Sequence, residues 1–173
     1  LLFSIVTTGL APESFYQLLE DGNKAKAHYN GVPVDVVSAT IVNAGDSCKE
    51  GFNNFHIVNY HEDDGCSLDA FVDWLEELGY PISRLEHGTW FDRFQQKLEG
   101  LSDEKKQLSS LAILSAYAMP YPSGGSAYPS ENFKALMEKL PTELPHLDKA
   151  YIGKCLADMQ VKGLIESPEL ESI

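Results

Sequence analysis

The chain has 173 residues, of which 26 are acidic and 13 are basic, so its formal net charge is −13. This surplus of carboxylates argues against nucleic acid and anionic membrane surfaces as partners, because both are bound by clusters of Lys and Arg. Hydrophobic residues make up 43% of the chain, enough to bury a core, and no apolar run reaches the roughly 20 residues of a membrane span.

The chain opens inside an apolar helix pattern without an initial Met, and we therefore expect it to be part of a larger domain. Residues 1–8 are predicted to be the end of a buried helix. Gly9 suits the left-handed position after a helix, and Pro12 prevents its continuation. Residues 11–31 mix aromatic and polar side chains and are predicted to form a loop with one short helix.

A second helix is predicted from Pro33 to Gly45, because Pro is favoured in the first turn and apolar residues then recur with helical spacing. The face predicted to be buried carries Val34, Val37 and Ile41.

The middle of the chain predicts two parallel strands joined through a helix. Residues 55–59 and 80–85 are compact β-type runs, and strand–helix–strand is the order of a βαβ crossover. Ser67 is predicted to cap the helix between them. Its inward face is predicted to carry Leu68, Phe71, Val72, Leu75 and Leu78. Its outward face is predicted to carry Asp69, Asp73, Glu76 and Glu77.

The remainder is predicted to be helical, with Thr89, Ser102 and Ser130 as N-caps and a last helix from about residue 147 to 163. Residues 119–129 hold three prolines and two glycines, which predicts an irregular flap. We expect the fold class to be α/β and mostly helical. Residues 1–101 would form an α/β part with late sheet strands, and residues 102–173 a helical cap.

Several catalytic motifs are absent from the sequence. The chain contains no G-x-G, and no Tyr is followed four positions later by Lys, so a dinucleotide fingerprint and a reductase tyrosine–lysine pair are both missing. No catalytic, cofactor-binding or metal-binding residue is therefore assigned. The three widely spaced cysteines favour reduced thiols in a cytoplasmic protein over a disulfide framework. They are Cys48, Cys66 and Cys155.

Two polar groupings allow a functional and a structural interpretation. His56, His61, Asp63 and Asp64 carry metal-ligating groups, but a strand histidine before an acidic capping turn gives the same pattern. The loop at 11–31 places hydroxyls and an imidazole among aromatic rings, which is typical of a pocket lining and also of a loop packed on a core. Its candidate substrate-binding residues are Ser14, Phe15, Tyr16, His28 and Tyr29.

Several segments in a fixed order resemble the C-terminal portion of the reductase domain of bacterial carboxylic acid reductases. They are GLAPESFY (9–16), AHYNGVPVD (27–35), FHIVNYHEDDGCSLD (55–69), FVDWL (71–75), GYPI (79–82), PHLD (145–148) and Ile165. The resemblance runs from Leu1 to about Ile165. It departs from the family at Asn59-Tyr60, where relatives commonly have Asn-Pro, and the flap at 119–129 has little that matches.

The resemblance implies an extended short-chain-dehydrogenase-like reductase in which NADPH reduces an acyl thioester and an aldehyde is released. It implies a phosphopantetheine-linked substrate, an acyl carrier domain as partner, and an upstream Rossmann half that holds the cofactor and the catalytic residues. This chain would be the substrate-side portion, inactive by itself, with the loop at 11–31 as one wall of the site. The alternative is a non-catalytic helical module that docks a carrier protein or a partner subunit.

Overall fold

The computed structural model describes residues 1–62, 65–126 and 128–168. Over these ranges the predicted fold class, α/β with a helical majority, is confirmed. No helix in the described part of the chain is long and apolar enough to cross a membrane. The elements in chain order are α1 (Leu2–Thr8), β1 (Leu10–Pro12), α2 (Val34–Ser47), α3 (Leu68–Glu77), β2 (Ser83–Leu85), α4 (His87–Glu99), α5 (Asp103–Leu108), a 3₁₀ helix (Ser110–Tyr117), α6 (Glu131–Met137) and α7 (Lys149–Val161).

The predicted end of the first helix is confirmed. Gly9 follows α1 with a φ of 66° and donates its backbone N–H to the carbonyl of Ile5, the left-handed cap that glycine adopts without a Cβ penalty. The ammonium of Lys97 donates to the carbonyl of Thr8 at 2.6 Å. The turn at Gly9 sends the chain directly into the buried strand β1.

The sheet is parallel, but one of its two strands differs from the prediction. β1 pairs with β2 in the register Leu10↔Ser83, Ala11↔Arg84 and Pro12↔Leu85. The prediction of a strand at residues 55–59 is wrong, since that run lies extended outside the sheet. Its β-type residues favour an extended backbone, but the backbone N–H of Asn59 bonds to the carbonyl of Asn30 instead of a strand. The short helix expected within residues 11–31 is also absent.

Helix α2 forms where it was predicted, but with a different buried face. Val36 and Thr40 are buried, whereas Val34 and Ile41 are 79% and 59% exposed. The predicted burial of Val34 and Ile41 is therefore wrong. The reason is tertiary, because α2 packs against α6 in a small second cluster, where Thr40 lies 3.7 Å from the sulfur of Met137.

Helix α3 confirms the predicted cap and the predicted inward face. The Ser67 hydroxyl accepts a hydrogen bond from the backbone N–H of Ala70 at 3.1 Å. The prediction for Asp69 is wrong, because its side chain points into the protein and is only 7% exposed. On the outer side, Glu76 pairs with Arg84 at 2.9 Å, which ties α3 to β2. The buried apolar residues are Leu68, Phe71, Val72 and Leu75.

Helix α4 is capped one turn earlier than predicted. The carboxylate of Glu86, rather than the hydroxyl of Thr89, accepts the backbone N–H groups of Gly88 and Thr89. An ionised carboxylate at this position also interacts favourably with the helix dipole. These backbone hydrogen bonds hold the pKa of Glu86 below its usual value.

The predicted cap at Ser102 is confirmed, since its hydroxyl accepts from the N–H of Lys105 at 3.5 Å. The single helix expected after it is divided, because Ser109 is extended and separates α5 from the 3₁₀ helix. Ser130 precedes α6 without a side-chain capping bond. Asp148 caps α7 by accepting from the N–H of Tyr151.

One main core cluster joins the two segments on either side of residue 101. It contains Ile5 from α1, Phe94 from α4, Leu114 from the 3₁₀ helix and Ile152 from α7. The division into an α/β part and a helical cap at residues 101 and 102 stays a prediction.

Candidate functional site

The loop at 11–31 and the flap at 119–129 enclose a cavity of about 420 Å³. Five of the eight tyrosines in the chain line it. Its lining therefore combines aromatic faces, which bind apolar groups, with hydroxyls that donate and accept hydrogen bonds. The lining tyrosines are Tyr16, Tyr29, Tyr117, Tyr121 and Tyr128.

A buried carboxylate holds the start of the loop in place. The oxygens of Asp69 accept the hydroxyl proton of Ser14 at 2.6 Å and the backbone N–H of Phe15 at 2.7 Å. The Ser14 hydroxyl oxygen in turn accepts the N–H of Tyr16 at 3.0 Å. Hydrogen bonds to an ionised acceptor are the stronger kind, so this network fixes the backbone immediately before the cavity wall.

Tyr16 connects this network to the N-terminus of α3. Its hydroxyl oxygen accepts the backbone N–H of Leu68 at 3.2 Å. Burial, with the charge of Asp69 as a smaller cause, raises the pKa of Tyr16 to about 12. The phenol therefore stays neutral at ordinary pH, so it can donate a hydrogen bond to a ligand but is a poor general base.

The far end of the loop is held by residues that precede α3. The ring Nε2 of His28 lies 2.7 Å from the carbonyl oxygen of Asn59, and because a carbonyl only accepts, Nε2 is the donor. The backbone N–H of Tyr29 donates to the carbonyl of Cys66 at 2.9 Å. Burial raises the pKa of Tyr29, so this phenol is also neutral.

Backbone hydrogen bonds join the flap to the loop. Tyr121 donates its N–H to the carbonyl of Phe15, and its own carbonyl accepts the N–H of Gln17, both at 2.8 Å. Further along, the N–H of Gly124 donates to the carbonyl of Lys26 at 2.8 Å. These contacts are made between residues about a hundred positions apart, and together they hold the flap against the loop.

The structure places the five predicted substrate-binding residues in two layers. Tyr16, His28 and Tyr29 line the cavity. Ser14 and Phe15 lie behind the wall, where Phe15 is 1% exposed and packs edge-on against Trp90 with ring centroids 5.3 Å apart. Whether this cavity binds substrate stays a prediction.

Sequence reasoning did not single out Tyr117, Tyr121 or Tyr128 as site residues. Tyr117 and Tyr121 contact each other edge-on at 6.0 Å, and Tyr121 contacts Tyr16 at 6.2 Å. Burial raises the pKa of Tyr117, at the end of the 3₁₀ helix, and of Tyr121, in the flap. For Tyr121 and Tyr128, the one available signal was the recurrence of Tyr within a Pro- and Gly-rich segment, since aromatic rings in irregular structure commonly line pockets.

The histidines of the candidate metal grouping lie in separate places. The ring of His56 stacks on Tyr128 at 6.1 Å, whereas His61 stacks on His146 at 3.7 Å. Asp63 and Asp64 lie outside the described residues. Within the ranges that the structure describes, no three metal-ligating side chains come together.

A dinucleotide cofactor does not fit the strand-to-helix turn that this chain supplies. Pyrophosphate binds where a glycine-rich turn exposes the N–H groups at the start of a helix. At the turn from β2 to α4, the carboxylate of Glu86 already accepts the N–H groups of Gly88 and Thr89. Its negative charge would repel a phosphate, so no step of a reaction is assigned to a cofactor bound at this turn.

The fold is similar to part of a reductase domain of the kind found in peptide synthetases. The structure superimposes on the reductase (R) domain of a nonribosomal peptide synthetase from Mycobacterium tuberculosis with a TM-score of 0.79 and 33% identity. That match covers 95% of this chain and 40% of the solved domain. The terminal R domain of the myxalamid pathway, 21% identical with a TM-score of 0.66, shares the fold.

The predicted resemblance to the reductase portion of carboxylic acid reductases is confirmed. The chain is 40% identical over 171 residues to a carboxylic acid reductase of Segniliparus rugosus and 37% identical over 171 residues to one of Mycobacterium marinum. Each match covers 95% of this chain. The chain spans 14% of the length of these relatives. No family model matches it.

Proposed function

We propose that this chain forms the substrate-side portion of an NADPH-dependent thioester reductase that releases a carrier-bound acyl group as an aldehyde. In this proposal the acyl thioester and its phosphopantetheine arm occupy the tyrosine-lined cavity. NADPH and the residues that transfer hydride and proton belong to the rest of the reductase domain. The chain by itself would be inactive, and the protein would act in the cytoplasm.

The observation that carries the proposal is the cavity between the loop and the flap, in a chain that resembles reductase domains over 95% of its length. A thioester arm is a slender chain with amide groups along it. The neutral phenols of Tyr16 and Tyr29 suit such a ligand, because they offer hydrogen bonds without a charge that must be desolvated. The role of these residues would be to position the thioester and exclude water.

The test is a kinetic comparison in the full-length protein that contains this chain. Tyr16→Ala removes a wall residue, and we expect the KM for the acyl thioester to rise about three- to tenfold, the amount that a lost aromatic contact of roughly 1 kcal/mol produces. Binding of NADPH is expected to persist, since the cofactor would lie elsewhere.

The matched control is Tyr80→Ala, another buried tyrosine, whose hydroxyl accepts from Gln160 at 2.8 Å and which does not line the cavity. Both variants remove a buried ring and lower stability. Only Tyr16→Ala is expected to change the KM for the thioester. If the KM for the thioester is unchanged in Tyr16→Ala, the loop at 11–31 is not part of the substrate site.

The second candidate function, a non-catalytic module that docks a carrier protein or a partner subunit, is favoured by the apolar outer surface of α2. Val34, Ile41 and Val42 on α2 are exposed, and the nearby Phe52 is 94% exposed. Reduction of a thioester by the full-length protein would exclude this alternative. Carrier binding without any thioester-dependent oxidation of NADPH would favour it.

A further inference from the structure

A second, smaller cavity adjoins the tyrosine-lined one. It measures about 150 Å³, and we call it the side cavity. Most of its lining is apolar, in contrast to the hydroxyl-rich lining of the main cavity. Tyr29 is common to both linings. The lining of the side cavity comprises Leu2, Tyr29, Gly31, Val32, Pro33, Phe71, Leu147, Tyr151, Ile152 and Cys155.

Tyr29 is the residue that the two linings share, and its ring is in close contact with Phe71 and Gly31. Its edge packs on Phe71 with ring centroids 4.9 Å apart. The ring also lies close to Gly31, where an added Cβ would stand only 2.3 Å from a carbon of the ring. The position of the ring therefore depends on a glycine at residue 31, because any other side chain would occupy the same space.

The backbone of Tyr29 is fixed while its ring is held by packing. The N–H donates to the carbonyl of Cys66 at 2.9 Å, and the carbonyl accepts from the side-chain amide of Asn59 at 3.2 Å. Rotation about the side-chain bonds can therefore move the ring without moving the loop. Because Tyr29 belongs to both linings, such rotation would change the space available in the main cavity and in the side cavity.

We propose that the side cavity binds the hydrocarbon tail of the acyl group and that the Tyr29 ring sets how long a tail is accepted. This inference rests on the proposed function, which places the thioester in the main cavity. The two linings match the two ends of such a ligand, since the polar arm would face hydroxyls and the tail would face Phe71, Leu147 and Ile152. A volume of about 150 Å³ is enough to hold benzene, so the space is large enough for a tail of about six carbons.

The test measures binding of two unreactive probes, the ethyl and the octyl thioethers of pantetheine, to the full-length protein by calorimetry. The quantity of interest is the ratio of the octyl affinity to the ethyl affinity. Each methylene moved out of water raises affinity about fourfold. We expect Tyr29→Ala, which removes the ring common to both linings, to raise the ratio about tenfold. We expect Cys155→Phe, which fills the side cavity, to lower it about tenfold.

Two matched control variants distinguish these effects on tail binding from a general loss of stability. Tyr29→Phe keeps the ring and is expected to keep the wild-type ratio. Cys48→Phe makes the same substitution at another half-buried cysteine, which does not line either cavity, and is also expected to keep it. If Cys155→Phe fails to give a native circular dichroism spectrum, Cys155→Met fills less space and is expected to lower the ratio about threefold.

Each outcome distinguishes the two proposals. If the ethyl probe binds but the ratio is the same in the wild type, Tyr29→Ala and the Cys155 variants, the tail site is overturned and the proposed function stands. If neither probe binds to the wild type, both proposals fail.

Discussion

Asp69 is the residue on which the geometry of the cavity wall depends most. It lies on α3, yet its carboxylate points inward and accepts from the Ser14 hydroxyl and from the Phe15 N–H. Burying a carboxylate is unfavourable unless it is hydrogen-bonded, and these two donors offset that cost. A single side chain thus couples the clearest helix of the chain to the loop that carries Tyr16.

We therefore predict that Asp69→Ala lowers the free energy of unfolding by about 2–3 kcal/mol, because it leaves two buried donors without their charged acceptor. Urea denaturation of the purified protein measures this. Glu77→Ala is the matched control on the same helix, since Glu77 makes an exposed ion pair with Lys149 at 2.9 Å. Such pairs contribute less than about 1 kcal/mol. Equal effects of the two substitutions would contradict a special role for Asp69.

Tyr16 gives a second prediction at the residue scale, on pH. The pKa of Tyr16 is raised by burial to about 12 in the folded protein, whereas an unfolded tyrosine ionises near 10. The stability contributed by the neutral phenol is therefore complete below pH 10 and is lost as the pH rises from 10 to about 12.

We expect the free energy of unfolding to fall over that pH range, with about 2 kcal/mol of the fall due to Tyr16. Urea denaturation at a series of pH values, in the wild type and in Tyr16→Phe, measures this part. The variant is expected to show the shallower fall. An identical pH dependence in the two proteins would show that Tyr16 is not the group responsible.

At the scale of elements, the turn between α1 and β1 determines whether the short sheet can form. Gly9 has a φ of 66°, and a Cβ there would meet the carbonyl oxygen of Pro81 at 3.3 Å. Its own carbonyl accepts the N–H of Ser83 at the start of β2. One residue thus ends a helix and begins the pairing of two strands.

We predict that Gly9→Ala lowers the free energy of unfolding by about 1–2 kcal/mol, since it forces an alanine into a left-handed conformation. Gly100→Ala is the control, because Gly100 also ends a helix but has a φ of −81°, and an added Cβ there would make only ordinary contacts, at 3.5 Å from the carbonyl oxygens of Gln96 and Lys97. That substitution is expected to change stability by less than about 0.5 kcal/mol. Thermal denaturation of both variants measures the two changes in stability, and equal changes would contradict the role given to Gly9.

The elements of the site are held together mainly by loop contacts. The loop at 11–31 and the flap at 119–129 contain no helix in their described residues, and the backbone bonds between them are made at Phe15, Gln17 and Lys26. Cavities built from loops on a fixed support are where binding residues commonly lie. Here the support is α3 through Asp69 and α4 through the contact of Trp90 with Phe15.

At the scale of the whole molecule, the small sheet and the exposed apolar side chains indicate that the chain is weakly stable when it is isolated. The sheet of the described residues has two strands of three residues each, and a two-stranded sheet is marginal without further packing. The apolar side chains of Ile41, Val42 and Phe52 are exposed to solvent. Exposed apolar groups of this size mark interaction surfaces or promote association.

We expect the isolated chain to self-associate, with a melting temperature that rises with protein concentration. Sedimentation velocity and thermal melts over a hundredfold range of concentration test this. The double variant Ile41→Ser and Phe52→Ser is expected to weaken the association, whereas Leu108→Ser, at another exposed apolar residue, serves as the control. A monomer with a sharp, concentration-independent transition would refute the expectation.

Local signals in the sequence predicted most of the helices and several of their ends. Gly9, Ser67 and Ser102 act as the caps that their residue types predicted, because capping depends on groups within about four residues. The order of the quoted segments was also sufficient to indicate the resemblance to reductase domains. The candidate residues Tyr16, His28 and Tyr29 were proposed from composition alone, and the structure brings them to one cavity.

The tertiary structure decided what local signals cannot specify. In the folded chain, β2 pairs with β1 and not with residues 55–59. The side chain of Asp69 points inward, and Ile41 is exposed on the outer side of α2. The tertiary structure also brought Tyr117, Tyr121 and Tyr128 to the cavity. The physical reason is the same in each case, because these contacts join residues 54 or more positions apart. The outcome depends on which surfaces can be buried together, not on the preference of any one segment.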